Sequence, residues 1–350
     1  MTLKDIRKRI DAIDDRILQL LQARMEQVLM ASRHKKEVED ARREQEIFDR
    51  IRAGVTSLVE AEFGEKIFEL IIGESKRLQN EGRRLMAFQG EHGAYGEEAS
   101  RAWDSEMVPF PCATFEEVFE RVQAGLCDMG IVPVENTWGG SVERVNRLLI
   151  HTDLCVAGAA ALCIRHCLLA LPDTDHREIR SVYSHPQALS QCRRFLARNH
   201  LDPVAYPDTA GAGRMLSETR PKRSAVIASR LCADIYGLEI IKENIQDMEK
   251  NITRFLVLSR KPAQEGDKCS IVFATEHKAG TLFNVLQVFA DKAINLTRIE
   301  SIPNEPGDYA FFLDFEGSDR DPSVEKALAQ VQKMTTRFRL MGCYTERRIP

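Results

Sequence analysis

No glycine or proline precedes Gly54. That absence constrains the fold most, because both residues interrupt helices. Ile6, Ile10, Ile13, Ile17, Leu20, Leu21 and Val28 recur at helical spacing. The pattern predicts one helix from about Leu3 to about Glu37, roughly 50 Å long at 1.5 Å per residue. A rod of that length is too long for a small unit alone and calls for a partner helix. Shorter helices are expected at about 40–60 and 65–81, so residues 1–82 read as all-helical.

The rest of the chain has a different texture. Residues 84–262 alternate short apolar strands with amphipathic segments, and residues 268–350 form a strand–helix–strand–strand–helix–strand series. Polar joints lie at 80–84 and 261–268. The 49 basic and 53 acidic residues leave a formal net charge of −4, which exerts no global pull on nucleic acid or anionic membrane. Asp11, Asp14, Asp15 and Glu26 interrupt the basic first helix and argue against nucleic-acid binding there. No stretch approaches 18 apolar residues, so no membrane span is expected. The charged amino terminus has no apolar signal segment, and the nine cysteines form no CxxC pair. A cytoplasmic protein with reduced thiols, no metal and no cofactor is expected. His166 and His185 read as structural, since no second ligand lies at metal-binding spacing.

Ionic residues in the helical region fall on a few faces. Arg24 and Lys35, eleven apart, lie about 20° from a common face. Asp40, Arg43 and Glu44 are spaced i, i+3, i+4, and Ser75 and Gln79 i, i+4. Arg7 lies about 25 Å from Arg24 along a straight helix. It is either a surface charge or a group lent to another chain.

The segments IRKRIDAIDDRILQLLQARMEQVLMASRHK (6–35), EDARREQEIFDRI (39–51) and IFELIIGESKRLQ (67–79) resemble the all-helical chorismate mutases. The resemblance implies an intertwined dimer of three-helix chains in which Arg7 serves the partner's site. It implies Arg24, Lys35 and Arg43 as in-chain cations and Asp40, Glu44, Ser75 and Gln79 as further pocket groups. Lys35 and Gln79 would donate to the breaking ether oxygen of chorismate, with Glu44 beside it. Holding a dicarboxylate in a compact conformer and stabilising developing charge suits these residue types.

GEHGAYGEEA, VPVENTWGGSV, VYSHPQALSQC and NITRF resemble the motifs of prephenate dehydratase. That family implies two α/β lobes like a type-2 periplasmic binding protein, with the second lobe near 163–250 and the site in the cleft. The implied cleft groups are Glu135, Asn136, Thr137, Ser184, Gln191, Thr253 and Arg254, with Phe255 beside them. Thr253 is the candidate acid for the leaving ring hydroxyl, and Arg254 fits either a substrate carboxylate or an ion pair. Trp138 stands where a small or polar residue is expected.

The last region resembles the ferredoxin-like ACT domain. Gly280, Thr281 and Leu282 match its ligand loop, Asn295, Leu296 and Thr297 its facing segment, and Glu300, Ser301 and Pro303 its ESRP stretch, with Ile302 replacing the arginine.

The resemblances together imply a multidomain α and α/β enzyme. It would convert chorismate through prephenate to phenylpyruvate, with L-phenylalanine as effector, as a homodimer or higher oligomer. Two other readings are a dehydratase whose helices only dimerise, and an amino-acid-binding regulator with an inactive cleft.

Overall fold

The computed structural model describes residues 2–35, 37–54, 58–172, 174–305 and 308–349. Chain contacts divide it after Arg84 into a helical unit and a larger unit beginning at Leu85.

The helical unit contains α1 (Leu3–Ser32), α2 (Ala41–Gly54) and α3 (Ala61–Asn80). Residues 55–57, within the span expected for the second helix, lie outside the described residues. Helix α1 stops short of the expected Glu37. Beyond Ala31 the sequence turns polar, and the Ser32 hydroxyl bonds back to the Leu29 carbonyl at 2.7 Å, competing with the helical ladder. Lys35 therefore lies beyond α1, which corrects the shared helical face expected for Arg24 and Lys35. Leu29 and Met30 of α1 and Ile72 and Leu78 of α3 are buried. The amino-terminal half of α1 instead leaves Ile10, Ile13, Ile17 and Leu20 about half exposed, at 49–62%.

The larger unit opens with β1 (Leu85–Gln89), α4 (Tyr95–Trp103), β2 (Val108–Cys112), α5 (Phe115–Gln123), β3 (Met129–Asn136), β4 (Gly140–Ser141), α6 (Glu143–His151) and β5 (Cys155–Cys163). The chain then crosses to β6 (Cys167–Ala170), β7 (Ser181–Ser184), α7 (Pro186–Gln191), α8 (Arg193–Arg198), β8 (Asp202–Ala205), α9 (Thr209–Thr219), β9 (Ser224–Ala228), α10 (Arg230–Tyr236) and β10 (Glu239–Lys242). It returns through β11 (Ile252–Ser259). Next come β12 (Lys268–Ala274), α11 (Thr281–Ala290), β13 (Leu296–Glu305), β14 (Asp308–Glu316), α12 (Pro322–Met334), β15 (Arg337–Tyr344) and β16 (Glu346–Ile349).

Three sheets result. The first runs β16-β5-β11-β3-β1-β2, with β4 paired to β3, and the second runs β10-β6-β9-β7-β8. Strand β1 is parallel to both neighbours and, like β9, is buried along nearly its whole length, as expected for strands covered on both faces. One apolar cluster, including Met86, Phe88, Ala228 and Cys232, joins the two lobes. They approach most closely at Gly93, whose φ is +87° and whose added Cβ would sit 2.7 Å from the Cys232 Cα. Only glycine meets both conditions. The two chain crossings bond to one another, Ile164 N to Asn251 O at 2.7 Å and Ile245 N to His166 O at 3.0 Å.

The third sheet, β13-β14-β12-β15, has its own core around Phe273, Phe289 and Phe315. It is not free-standing. After β15 the chain forms β16, which pairs in parallel with β5 of the first sheet. Gly342 lies so close to β5 that an added Cβ would meet the Val156 carbonyl at 2.2 Å.

Candidate active sites

A cleft of about 690 Å³ separates the two large sheets. Asn136 at the end of β3 and Thr253 at the start of β11 are register partners and both line it. Asn136 Nδ2 donates to Thr253 Oγ1 at 2.9 Å and to Asn251 Oδ1 at 2.8 Å. Asn136 Oδ1 accepts from the backbone N–H groups of Trp138 at 2.9 Å and Gly139 at 2.7 Å, which fixes the amide's orientation. Gln191 Nε2 also reaches Asn136 Oδ1, at 3.4 Å.

The network continues into the crossings. Gln191 Oε1 accepts from Asn251 Nδ2 at 3.0 Å and from His166 Nε2 at 2.7 Å. Since Nε2 donates there, Nδ1 of neutral His166 accepts from the Tyr95 hydroxyl at 2.7 Å. Burial supports the neutral form by holding the His166 pKa down to about 4. The chain Tyr95–His166–Gln191–Asn136–Thr253 is therefore directional, and it ends on a hydroxyl that accepts.

Asp208 also lines the cleft. It caps α9 through Ala210 N at 2.9 Å and Gly211 N at 3.1 Å, while burial raises its pKa. Arg144 stands in the cleft wall, paired with Glu116 at 2.7 Å.

Of the residues expected in the cleft, the structure brings Asn136, Gln191 and Thr253 together there. Ser184 is not brought there. It is fully buried, and its hydroxyl bonds to the Ile227 carbonyl at 2.6 Å, tying β7 to β9. Thr137 Oγ1 clasps the incoming β11 through Ile252 N at 3.0 Å and Lys250 O at 3.3 Å. Glu135 and Arg254 line a second cavity of about 390 Å³, not the cleft. The Arg254 guanidinium is held by Asp314 at 2.5 Å and Glu346 at 3.1 Å. A substrate carboxylate in the cleft therefore does not meet it. Trp138 is partly exposed at 42%, so it packs only in part. Sequence reasoning missed Tyr95 and Asp208 as cleft groups and assigned Asn251 and His166 no part in the network. Tyr95 within GEHGAY and Asn251 within NITRF lay inside the quoted motifs, which were the available signals.

In the helical unit Arg24 Nη1 donates to Ser75 Oγ at 2.6 Å, joining α1 to α3. Asp40 caps α2 through Arg43 N at 3.0 Å and pairs with Lys35 at 3.1 Å. Arg43 pairs with Glu46 at 3.1 Å. Glu44 meets Lys76 at 2.8 Å, a partner the sequence did not suggest, and Glu44 raises the pKa of that lysine. Among the described residues, Gln79 Oε1 is buried without a hydrogen-bond partner. Arg7 is exposed on the unpacked half of α1.

In the third sheet Thr281 is tied to the end of β12 by its bond to Thr275 at 3.3 Å. That end aligns with Ala310 and Ile302, whereas Leu296 aligns with Phe315 and Cys269. About six residues at 3.3 Å each separate the two ends, so one chain does not bring Gly280, Thr281 and Leu282 to Asn295, Leu296 and Thr297. Asn295 bonds to Glu316 at 2.9 Å. Glu300 lines the 390 Å³ cavity, and Ser301 is exposed. Ile302 is buried on the same strand face as Arg298, toward the dehydratase-like lobe.

Models of three families match this chain: chorismate mutase type II over 6–80, prephenate dehydratase over 86–263 and the ACT domain over 270–332. A bifunctional chorismate mutase/prephenate dehydratase of Escherichia coli (strain K12) is 31% identical, covering 97% of this chain and 95% of that one. Arogenate dehydratase/prephenate dehydratase 2 of Arabidopsis thaliana, a chloroplastic protein, is 39% identical over 77% of this chain and 75% of its own. Among solved structures, a quorum-quenching acylase, GqqA, is 31% identical with a TM-score of 0.71, covering 75% of this chain and 98% of its own. Prephenate dehydratase of Arthrobacter aurescens in complex with L-Phe is 29% identical with a TM-score of 0.70, covering 75% and 89%. These likenesses span all three regions of the chain, which belongs to the bifunctional chorismate mutase–prephenate dehydratase family with an ACT domain.

Proposed function

We propose that the helical unit rearranges chorismate to prephenate, and that the cleft converts prephenate to phenylpyruvate with Thr253 as its proton-donating group. The carrying observation is that Thr253 lines the cleft with its oxygen accepting from Asn136, an arrangement that leaves the hydroxyl proton able to turn toward a bound substrate. As the ring carbon–carboxylate bond breaks, carbon dioxide departs, the bond's electron pair enters the ring and expels the hydroxyl, and that hydroxyl takes a proton relayed from solvent through Thr253 and leaves as water. Thr253 assists by hydrogen bonding as that oxygen gains charge, and Asn136 stabilises the threonine oxygen. Aromatisation drives the step, so positioning suffices and no cofactor is invoked. A mutase unit that makes prephenate in the same chain favours prephenate over arogenate as the cleft's substrate.

In the mutase site Arg24, Lys35 and Arg43 supply cations, Gln79 and Lys35 face the ether oxygen, and Glu44 is engaged by Lys76. The half-exposed isoleucines of α1 support a homodimer in which Arg7 serves the partner. L-Phenylalanine is the effector, bound between the Gly280–Leu282 loop of one chain and the Asn295–Thr297 segment of another. The separation of those segments within one sheet supports that arrangement. Nine free cysteines favour a reducing, cytoplasmic setting.

Turnover of prephenate by Thr253→Ala and Thr253→Ser variants tests the central residue. The alanine variant loses dehydratase turnover and the serine variant keeps much of it. Unchanged turnover in Thr253→Ala contradicts the assignment.

A further inference from the structure

The β3–β11 ladder pairs Asn136 with Thr253 and, one step on, Glu135 with Arg254. Side chains alternate across a sheet, so the two pairs face opposite ways. The first pair faces the cleft and the second faces the ACT sheet. There Arg254 spends its whole guanidinium fork: Nη1 on Asp314 at 2.5 Å, Nη2 on the Tyr344 hydroxyl at 3.1 Å and Nε on Glu346 at 3.1 Å. Arg254 is 5% exposed and Asp314 fully buried. The other Asp314 oxygen accepts from Ser270, and the other Glu346 oxygen from Lys268. Arg298 of β13, also buried, stands 3.6 Å from Glu135 and 4.0 Å from Asp314 and is anchored to α6 through Asn146 at 2.8 Å.

This cluster grips the two catalytic strands one residue away from the catalytic pair. The grip falls where β11 shifts register against β3, between Arg254 and Phe255. At such a bulge the ladder's own hydrogen bonds fix the strand least. A buried guanidinium held at each of its three nitrogens, by Asp314, Tyr344 and Glu346, is directional, so it sets both the height and the rotation of the strand it holds.

We propose that Asp314, in the ACT sheet, is a positioning residue for dehydration: acting through Arg254, it sets where Thr253 presents its hydroxyl. The inference rests on the reading of Thr253 given above. It makes the ACT sheet part of the machinery that aligns the dehydratase site, beyond its role in binding effector.

The test is a double-mutant cycle in the full chain: wild type, Thr253→Ala, Asp314→Asn and the double variant, each assayed for prephenate and chorismate turnover. Asp314→Asn keeps the shape but removes the charge that orients Arg254. A misplacement of about 1 Å costs roughly 10²-fold in rate, and that is the expected loss of dehydratase kcat. KM for prephenate stays at the wild-type value, which also shows that the cleft is folded, and mutase turnover is unchanged. In the Thr253→Ala background the Asp314→Asn change adds no further loss. Arg254→Lys, which keeps the charge and loses the fork, gives the same pattern with a smaller drop and replaces Asp314→Asn in the cycle if that chain fails to fold. Wild-type kcat in Asp314→Asn beside an inactive Thr253→Ala overturns the inference and leaves Thr253 standing. An equal loss in both backgrounds overturns it as well. Full turnover by Thr253→Ala removes both.

Discussion

The helical unit and the cleft are both polar sites, but they are completed differently. In the cleft each amide from Gln191 to Thr253 has its partner within one chain, and the network closes between two sheets. In the helical unit the ionic groups lie on slender helices and the turn between α1 and α2, one buried amide oxygen is unmatched among the described residues and a stripe of isoleucine faces outward. A two-lobed sheet fold supplies enough surroundings to finish a site alone. Three helices supply less, and on the reading proposed above the mutase unit is completed by a second copy while the dehydratase cleft is completed within one chain.

The largest expected effect separates the two sites by chemistry. Thr253→Ala lowers dehydratase kcat by about 10²- to 10⁴-fold, the usual worth of a positioned proton-transfer group, with mutase turnover intact. Parallel loss of both activities contradicts separate sites.

Ile13→Asp sharpens the contrast by setting a charge in the exposed stripe. Mutase turnover falls at least tenfold and becomes concentration-dependent, while dehydratase turnover holds. Sedimentation should show the chains dissociating; an intact assembly with full mutase activity would break the comparison.

A third prediction concerns the cleft alone. His166 has a pKa of about 4 in the folded chain, against about 6.5 unfolded. Between those values the unfolded chain takes up a proton that the folded chain refuses. Its contribution to stability is complete above about pH 6.5 and falls by about 3 kcal/mol as pH drops to 4. Urea unfolding of wild type and His166→Gln across that range checks it, with a shallower decline expected in the variant. Identical slopes exclude His166 as the source.

The smallest effect lies on the helical surface. Arg42 and Glu46 pair at 3.4 Å, with the Arg42 side chain 92% exposed. Arg42→Ala shifts stability by less than about 0.5 kcal/mol and alters neither activity. A larger shift in its melting point would mean that this face is covered in the assembly.

Much of this contrast was legible in residues. Gly-free, Pro-free spacing announced the helices, and resemblance to the prephenate dehydratase motifs marked Asn136 and Thr253. Which way each strand faced was not legible. Period-two alternation places Glu135 and Asn136 on opposite faces without saying which meets the cleft, so Arg254 was left between a substrate carboxylate and an ion pair, and the ion pair is what forms. His166 and Asn251 sit on crossings whose short, aperiodic sequence carries no pattern. No element was expected after Tyr344, yet Glu346–Ile349 pair with β5 because its edge lies open beside them. Lys76 was missed because its partner Glu44 belongs to another helix.

Subunit complementation tests the central claim most directly. Arg7→Ala and Gln79→Ala chains, each without mutase turnover, are mixed under conditions that exchange subunits. Half of the dimers then carry both kinds of chain, and each of these has one intact site, so mutase turnover returns to about a quarter of wild type while dehydratase turnover never changes. A mixture no more active than its two components would contradict a site shared between chains.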